Sequence, residues 1–232
     1  MGSGNLARQP AATDGARTIE EIARSAARTF QTVEQMAQSV VREAILRGLY
    51  PPGERLNLDS IAETLGVSRM PVRAGLRQLE AEGLVRIHPY RGVTVSVLRP
   101  SEIAEIYDLR ILLEGYLLRR AVPRLNDDDI DRLEELVKVA EAAGDESARY
   151  ESRMLFYNTL YGFADRPRAA SMAAQLRGSV GRYLVIQQIN EHSGHAGLVA
   201  LLRRRDAIGA RRWLTSHLTR LSKELQRLVA KG

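Results

Sequence analysis

Apolar residues recur at three- and four-residue steps along most of this chain, and strand-like alternation is confined to one short stretch. The first firm helical stripe is Val33, Met36, Ala37, Val40, Val41, Ala44 and Ile45, a spacing that buries one face. It predicts a helix from about Thr32 to Gly48, ended by Gly48 and the Pro51-Pro52-Gly53 run. Ahead of it, Ile19, Ile22, Ala23, Ala26 and Ala27 form a weaker stripe between Thr18 and Thr29. Met1 to about Arg17 has no periodic face and is rich in Gly, Ala, Ser and Pro, so residues 1–31 are expected to form a flexible leader.

Two further apolar faces lie close together. Ile61, Ala62 and Leu65 give one short helix a buried side; Leu76 and Leu79, with Ala74, give the next one its own. Gly66 allows a tight reversal between them, and the Ser68 hydroxyl is expected to cap the second helix. This is the pattern of a helix-turn-helix. On the second helix Arg69, Arg73 and Arg77 step by four, which sets three guanidinium groups along one edge. Such an edge also describes an ordinary solvated face. The next segment of chain tips the balance: Leu84 to His88, a break at Pro89 to Gly92, then Val93, Val95 and Val97 in alternation make a hairpin whose tip, Tyr90-Arg91-Gly92, is basic.

The run from Val41 to Leu98 resembles the GntR family of bacterial transcription regulators. REAILRGLYPPGERL, SRMPVRAGLRQLEAEGLV and YRGVTV carry the resemblance, in the family's order and spacing. It implies a winged helix-turn-helix in which Ser68, Arg69, Pro71, Arg73 and Arg77 meet double-stranded DNA from the helix, and Tyr90, Arg91 and Gly92 from the wing. Arginine suits that task because its planar fork grips phosphate or pairs with guanine O6 and N7. Met70 departs from the family pattern, which usually has threonine there.

Beyond Arg99 and Pro100 every segment has helical periodicity. Six helices are predicted: Ser101 to Ala121, Asp127 to Ala142, Glu146 to Ala164, Pro167 to Glu191, Gly194 to Arg204 and Asp206 to Val229. Breaks fall at Pro123, Gly144, Pro167, Ser193-Gly194 and Arg205-Asp206. An antiparallel bundle buries so many amphipathic faces most simply. The fold class is therefore mainly α: a winged helix-turn-helix with a small β-hairpin over residues 32–99, then an all-α six-helix bundle over 100–232. The acidic run Asp127-Asp128-Asp129 lies where a helix N-terminus favours carboxylates, which accounts for it without a metal. Trp213, in the stripe Ala210, Trp213, Leu214, Leu218, reads as core.

His195 and His217 each share a face with leucines and lie eleven residues either side of Asp206. If the chain reverses there, both imidazoles point inward at one level, about 16 Å from the turn by the helix rise. Two inward imidazoles at one height suit a ligand or a metal. This second half resembles the FCD ligand-binding domain of the FadR subfamily of GntR regulators, through IYDLRILLEGY, FYNTLYGFADRP and HAGLVALLRRRDAIGARRWLTSHL. Many members hold a metal through an aspartate and a histidine four apart and two further histidines, which correspond to His195 and His217. Here the first pair falls on Arg153 and Tyr157. A guanidinium cannot coordinate a cation and repels one, so no metal and no cofactor is expected. Arg153 is expected to supply the positive charge itself, with Tyr157, His195 and His217 adding hydrogen bonds to an anionic effector, and Arg110 and Arg182 as further candidates.

The formal net charge of +6 fits a nucleic-acid partner. Cysteine is absent, which rules out disulfides and thiolate metal sites and is compatible with a reducing cytoplasm. No apolar run approaches the length that crosses a bilayer, so no membrane partner is expected and a cytoplasmic protein is the default. P-loop, nucleophile-elbow and HExxH motifs are missing, which argues against an enzyme. The expectation is a homodimeric, ligand-responsive regulator on a near-palindromic operator, with a small carboxylate as effector. The alternatives are a constitutive DNA-binding regulator with a degenerate effector site and, less favoured, an all-α enzyme with the His195 and His217 cavity as its active site.

Overall fold

The computed structural model describes residues 18–26, 32–186 and 195–230, with the backbone alone described at 24–26, 146, 147, 182 and 186. The leader before Thr18, the continuation of the fourth bundle helix to Glu191, the break at Ser193-Gly194 and the side chain of Arg182 lie outside these residues. The chain begins with α1 (Ile19–Ala26) and α2 (Val33–Leu46), followed by β1 (Arg55–Leu56), α3 (Leu58–Leu65), α4 (Arg69–Ala81), β2 (Val85–His88) and β3 (Gly92–Val95). Seven elements complete it: α5 (Pro100–Ala121), a 3-10 turn at Val122–Arg124, α6 (Asp127–Ala142), α7 (Glu146–Gly162), α8 (Pro167–Ile186), α9 (His195–Arg203) and α10 (Ala207–Val229).

Side chains at the helix starts satisfy amide groups that the helices leave open. Thr32 accepts from the Gln35 amide, Asn57 from Asp59 and Ser60, and Asp206 from Gly209. At α6, Asn126 and Asp129 cap reciprocally, and Arg205 pairs with Asp127 at 2.8 Å. The acidic run is thus a capped helix start. Gly66 ends α3 at φ 65°, a left-handed conformation that a side chain resists. Ser68 occupies the cap position of α4 but makes no side-chain cap hydrogen bond, contrary to the expectation from its hydroxyl. Likewise α5 begins one residue early, at Pro100, whose missing amide is no loss in a first turn. There the Arg99 amide donates to Glu102 Oε2 at 2.7 Å.

The N-terminal part is a winged helix-turn-helix on a core of Val41, Ile45, Ile61, Val72, Leu76, Leu79, Val85 and Val93. Its sheet has three strands rather than the two of a hairpin: β1 pairs antiparallel with β3 through Leu56 and Val93, giving the order β1-β3-β2. β1 is too short to show alternation in the sequence. Val97, expected to continue the alternation, is exposed because β3 ends at Val95. α1 docks Ile22 against Val40, with Met36 and Leu65 at the edges. The second, larger core joins α5 to α10 around Tyr107, Leu118, Leu133, Phe156, Leu160, Leu202, Leu214 and Leu218. α10 lies along α5, and α7 packs between α6 and α8.

The two parts touch through α2 and α8. Leu46 packs with Tyr150 and Val185, and the Leu98 amide donates to the Tyr183 hydroxyl at 2.8 Å. A cleft of about 550 Å3, lined by Arg42, Glu43, Glu82, Glu151, Met154 and Leu155 among others, separates the remainder.

α4 rides unusually close on α2. A Cβ added at Gly75 would stand 2.9 Å from the Gln38 backbone nitrogen and 3.0 Å from the Glu34 carbonyl oxygen. Both obstacles are backbone and yield little. Gly75→Val is expected to destabilise the protein by about 1–3 kcal/mol, as overpacked cores do. Urea unfolding checks this; an unchanged midpoint would contradict the tight α2–α4 contact.

Candidate DNA-binding face and effector pocket

The face of α4 away from its core carries the predicted DNA contacts. Ser68, Arg69, Arg73 and Arg77 are exposed and Pro71 is half-buried. Arg69 forms an ion pair with Asp59 of α3, so on this protein alone its guanidinium lies over the neighbouring helix. At the wing tip Tyr90 is fully exposed in a left-handed conformation, φ 64°, and Gly92 adopts φ 86° two residues on. A tyrosine is held there at a cost. The tip therefore projects an aromatic ring and Arg91 into solvent.

Two more basic side chains were hidden from sequence reading. Thr94 on β3 is the register partner of both Arg55 on β1 and Arg86 on β2. Cross-strand partners share a sheet face, so the wing carries a row Arg55, Thr94, Arg86 beneath its basic tip. Only the third strand, unread in the sequence, puts Arg55 there.

In the bundle, His195 at the start of α9 and His217 on α10 are both buried, with ring centroids 5.3 Å apart and edge to face. The Tyr157 hydroxyl lies 2.9 Å from His195 Nε2. Phe156 meets the same ring edge-on, and Trp213 stacks on His217 at 4.7 Å with a 12° interplanar angle. Trp213, read as core, is thus a wall of the histidine site.

His217 is held neutral. Burial drives its pKa down to about 2, assisted by the charges of His195, Arg110, Arg220 and Arg153. Arg220 Nη2 lies 3.3 Å from His217 Nδ1; a guanidinium only donates, so Nδ1 is the acceptor.

Arg153 is 4% exposed, one helical turn before Tyr157 on α7, and is not a surface side chain reaching outward. It lines a small space with Leu136, Val137, Ala140, Phe156, Arg149 and His195, and with one carboxylate, Glu141, at its rim. That space measures about 20 Å3, room for one water.

Arg110 is also buried, but its Nε donates to Glu114 Oε1 at 2.8 Å one turn along α5. The same carboxylate accepts from the Tyr161 hydroxyl at 2.8 Å and lies 3.6 Å from Arg177 Nη1. Burial, with the Glu114 charge next, raises the Tyr161 pKa well above the usual tyrosine value, so the phenol remains a donor. Arg177 also donates to Asn158 Oδ1 at 2.8 Å and covers the rings of Tyr157 and Tyr161. Sequence reading missed Arg177 and Glu114. The signal was present: Ala173, Arg177, Val180 and Leu184 are one helical stripe, and an arginine inside an apolar stripe is a buried arginine.

A divalent cation does not fit this site. Arg153 and Tyr157 occupy the positions of a ligating pair, Glu114 is taken up by two guanidiniums and a phenol, and three arginine charges act on His217. Among the described residues no three His, Cys, Asp or Glu side chains group as a metal site. The same set of donors and positive charges suits an anion.

Residues 33–95 match the bacterial regulatory proteins of the gntR family, and residues 105–220 match the FCD domain. The chain belongs to the GntR family. Like its relatives in that family it is a transcription regulator with a helix-turn-helix DNA-binding part, and not an enzyme. An HTH-type regulator of Agrobacterium vitis is 42% identical over 79 residues, 34% of this chain and 46% of its own length; the chain spans about half of that relative. The Escherichia coli K12 regulator McbR is 30% identical over 178 residues, 72% of this chain and 80% of McbR. The solved structure of E. coli McbR/YncC superimposes with a TM-score of 0.75 at 24% identity, over 86% of this chain and 99% of that one, a likeness of fold. No described helix is long and apolar enough to cross a membrane.

The neutral His217 makes folding pH-dependent in this GntR regulator. Its folded pKa lies below the unfolded value near 6.5, so below pH 6.5 the unfolded chain binds a proton that the folded chain refuses. Stability from this residue is complete above pH 6.5 and falls as pH drops, by up to about 1.4 kcal/mol per unit. His217→Gln is expected to flatten the wild-type slope between pH 6.5 and 5 by close to one proton, read from urea midpoints. Parallel slopes would show that His217 protonates in the folded state.

Proposed function

We propose that this protein is a ligand-responsive regulator that binds a near-palindromic operator as a homodimer and takes a small carboxylate as effector, without a metal. Residues 32–99 form the DNA-binding head, and residues 100–232 the effector-binding and dimerising body. The observation that carries the effector reading is the buried guanidinium of Arg153, which shares a space with His195, whose ring in turn meets Tyr157 and His217. A carboxylate meets there a planar fork, a phenol and two imidazoles, the donors that a metal would otherwise replace. Arg110 and Arg177 add positive field from behind while remaining tied to Glu114.

The size of the space beside Arg153 bears on mechanism. At about 20 Å3 it admits a water and no organic acid, so an effector enters only as α6 moves from α7. α7 carries Arg153 and Tyr157, and also Tyr150 against Leu46 of the head. α8 carries Arg177 at its middle and, further along, Tyr183, which receives the Leu98 amide of the connecting segment. Both helices therefore link pocket to head. A ligand changes DNA affinity only by its difference in affinity for the two arrangements, commonly about 1–3 kcal/mol. The same small cavity favours a second reading, a constitutive regulator whose effector site has closed.

Thermal unfolding of chelator-treated protein against a panel of small carboxylic acids and sugar acids separates the two. A ligand at about 100 times its Kd adds roughly 2.7 kcal/mol. The expected result is a selective rise in Tm that Arg153→Gln abolishes. A rise that requires added divalent metal overturns the metal-free site, and no rise in either condition supports the constitutive regulator.

A further inference from the structure

We infer that Met70 reads a thymine through its C5-methyl group, making it a specificity-determining residue of the operator half-site. This rests on the reading that α4 enters the major groove. Met70 is 75% exposed, a large apolar side chain standing alone among Ser68, Arg69 and Arg73. Its direction is fixed by the helix. The buried ridge of α4 is Val72, Gly75, Leu76 and Leu79, and at 3.6 residues per turn Met70 points about 170° from its mean direction. No other residue in the first two turns of α4 is turned so squarely away from the core. Arg77 and Ala74 flank it at about 150° on either side, Arg73 lies at about 110°, and Arg69 at only about 70°.

This ordering assigns different tasks to the arginines and the methionine. Arg69 leans sideways towards α3, where it pairs with Asp59, a direction suited to the phosphate backbone flanking a groove. Met70 sits at the N-terminal end, the part of a recognition helix that contacts base edges, and on the line that penetrates deepest. An unbranched thioether has no hydrogen bond to give a base edge. What the major groove offers an apolar side chain is the methyl of thymine, the single such group among the four bases. Ala74, one turn on, continues the apolar line, and the flexible methionine adapts to the methyl's position.

The test uses full-length protein and duplexes selected by it from a random library. Each thymine of the enriched half-site is then replaced by deoxyuridine, which removes only the methyl. The expected result is one thymine at which deoxyuridine weakens wild-type binding about three- to fivefold, the scale of one buried methyl group, and at which Met70→Ala binds the two duplexes equally. Because Met70 is exposed, the variant is expected to melt with the wild type, which a thermal scan verifies. No thymine sensitive to deoxyuridine, or the same sensitivity in Met70→Ala, overturns the assignment while leaving DNA binding by α4 intact. Failure of the wild type to enrich any sequence overturns the underlying reading together with it.

Discussion

The buried carboxylate of Glu114 is the constraint on which the bundle interior depends. It is fully enclosed, and three partners from three helices converge on it: Arg110 of α5, Tyr161 of α7 and Arg177 of α8. Such a network contributes little net stability over a well-packed apolar core, because each charge has left water. Its consequence is positional. Two guanidiniums are fixed behind the aromatic wall of Tyr157 and Tyr161, and removing Glu114 would leave both buried beside each other. Among the described residues the buried charged side chains of the bundle are Arg110, Arg153, Arg177 and Glu114. The interior is thereby tuned to positive potential, which adds to the burial that chiefly lowers the pKa of His217.

That potential is the physical ground for our proposal that this FCD scaffold, with its two inward histidines, takes no cation. Histidines ligate a cation when neutral and joined by further donors free of competing positive charge. In this chain they are neutral but accompanied by guanidiniums, which leaves hydrogen bonding as their use. The stacked Trp213 and the edge-on Phe156 fix both rings, so the donors are pre-organised rather than assembled on binding. α7 and α8 reach from this pocket to Leu46 and Leu98 at the head, so the helices that carry Arg153 and Arg177 are also those that touch the DNA-binding part.

Much of this was legible in the sequence, for physical reasons. Long amphipathic stripes announced the helices, and the symmetry of His195 and His217 about the turn at Asp206 announced their meeting. The replacement of a ligating pair by Arg153 and Tyr157 was readable because it falls within FYNTLYGFADRP and its preceding turn. What stayed hidden was pairwise. A two-residue strand has no period, so β1 and the Arg55–Thr94–Arg86 row were invisible until the register was known. The Ser68 hydroxyl could cap in principle, yet makes no cap bond. Arg177 and Glu114 required knowledge of which stripes face each other. The side chain of Arg182 remains a sequence expectation.

The central claim is that a buried guanidinium has replaced a metal in this GntR regulator. Elemental analysis of protein purified without added metal or chelator tests it most directly. The account predicts zinc, manganese and nickel well below one equivalent per chain, with the same content in Arg153→Gln. One equivalent of any of these metals, lost on mutation of His195 and His217, would contradict it.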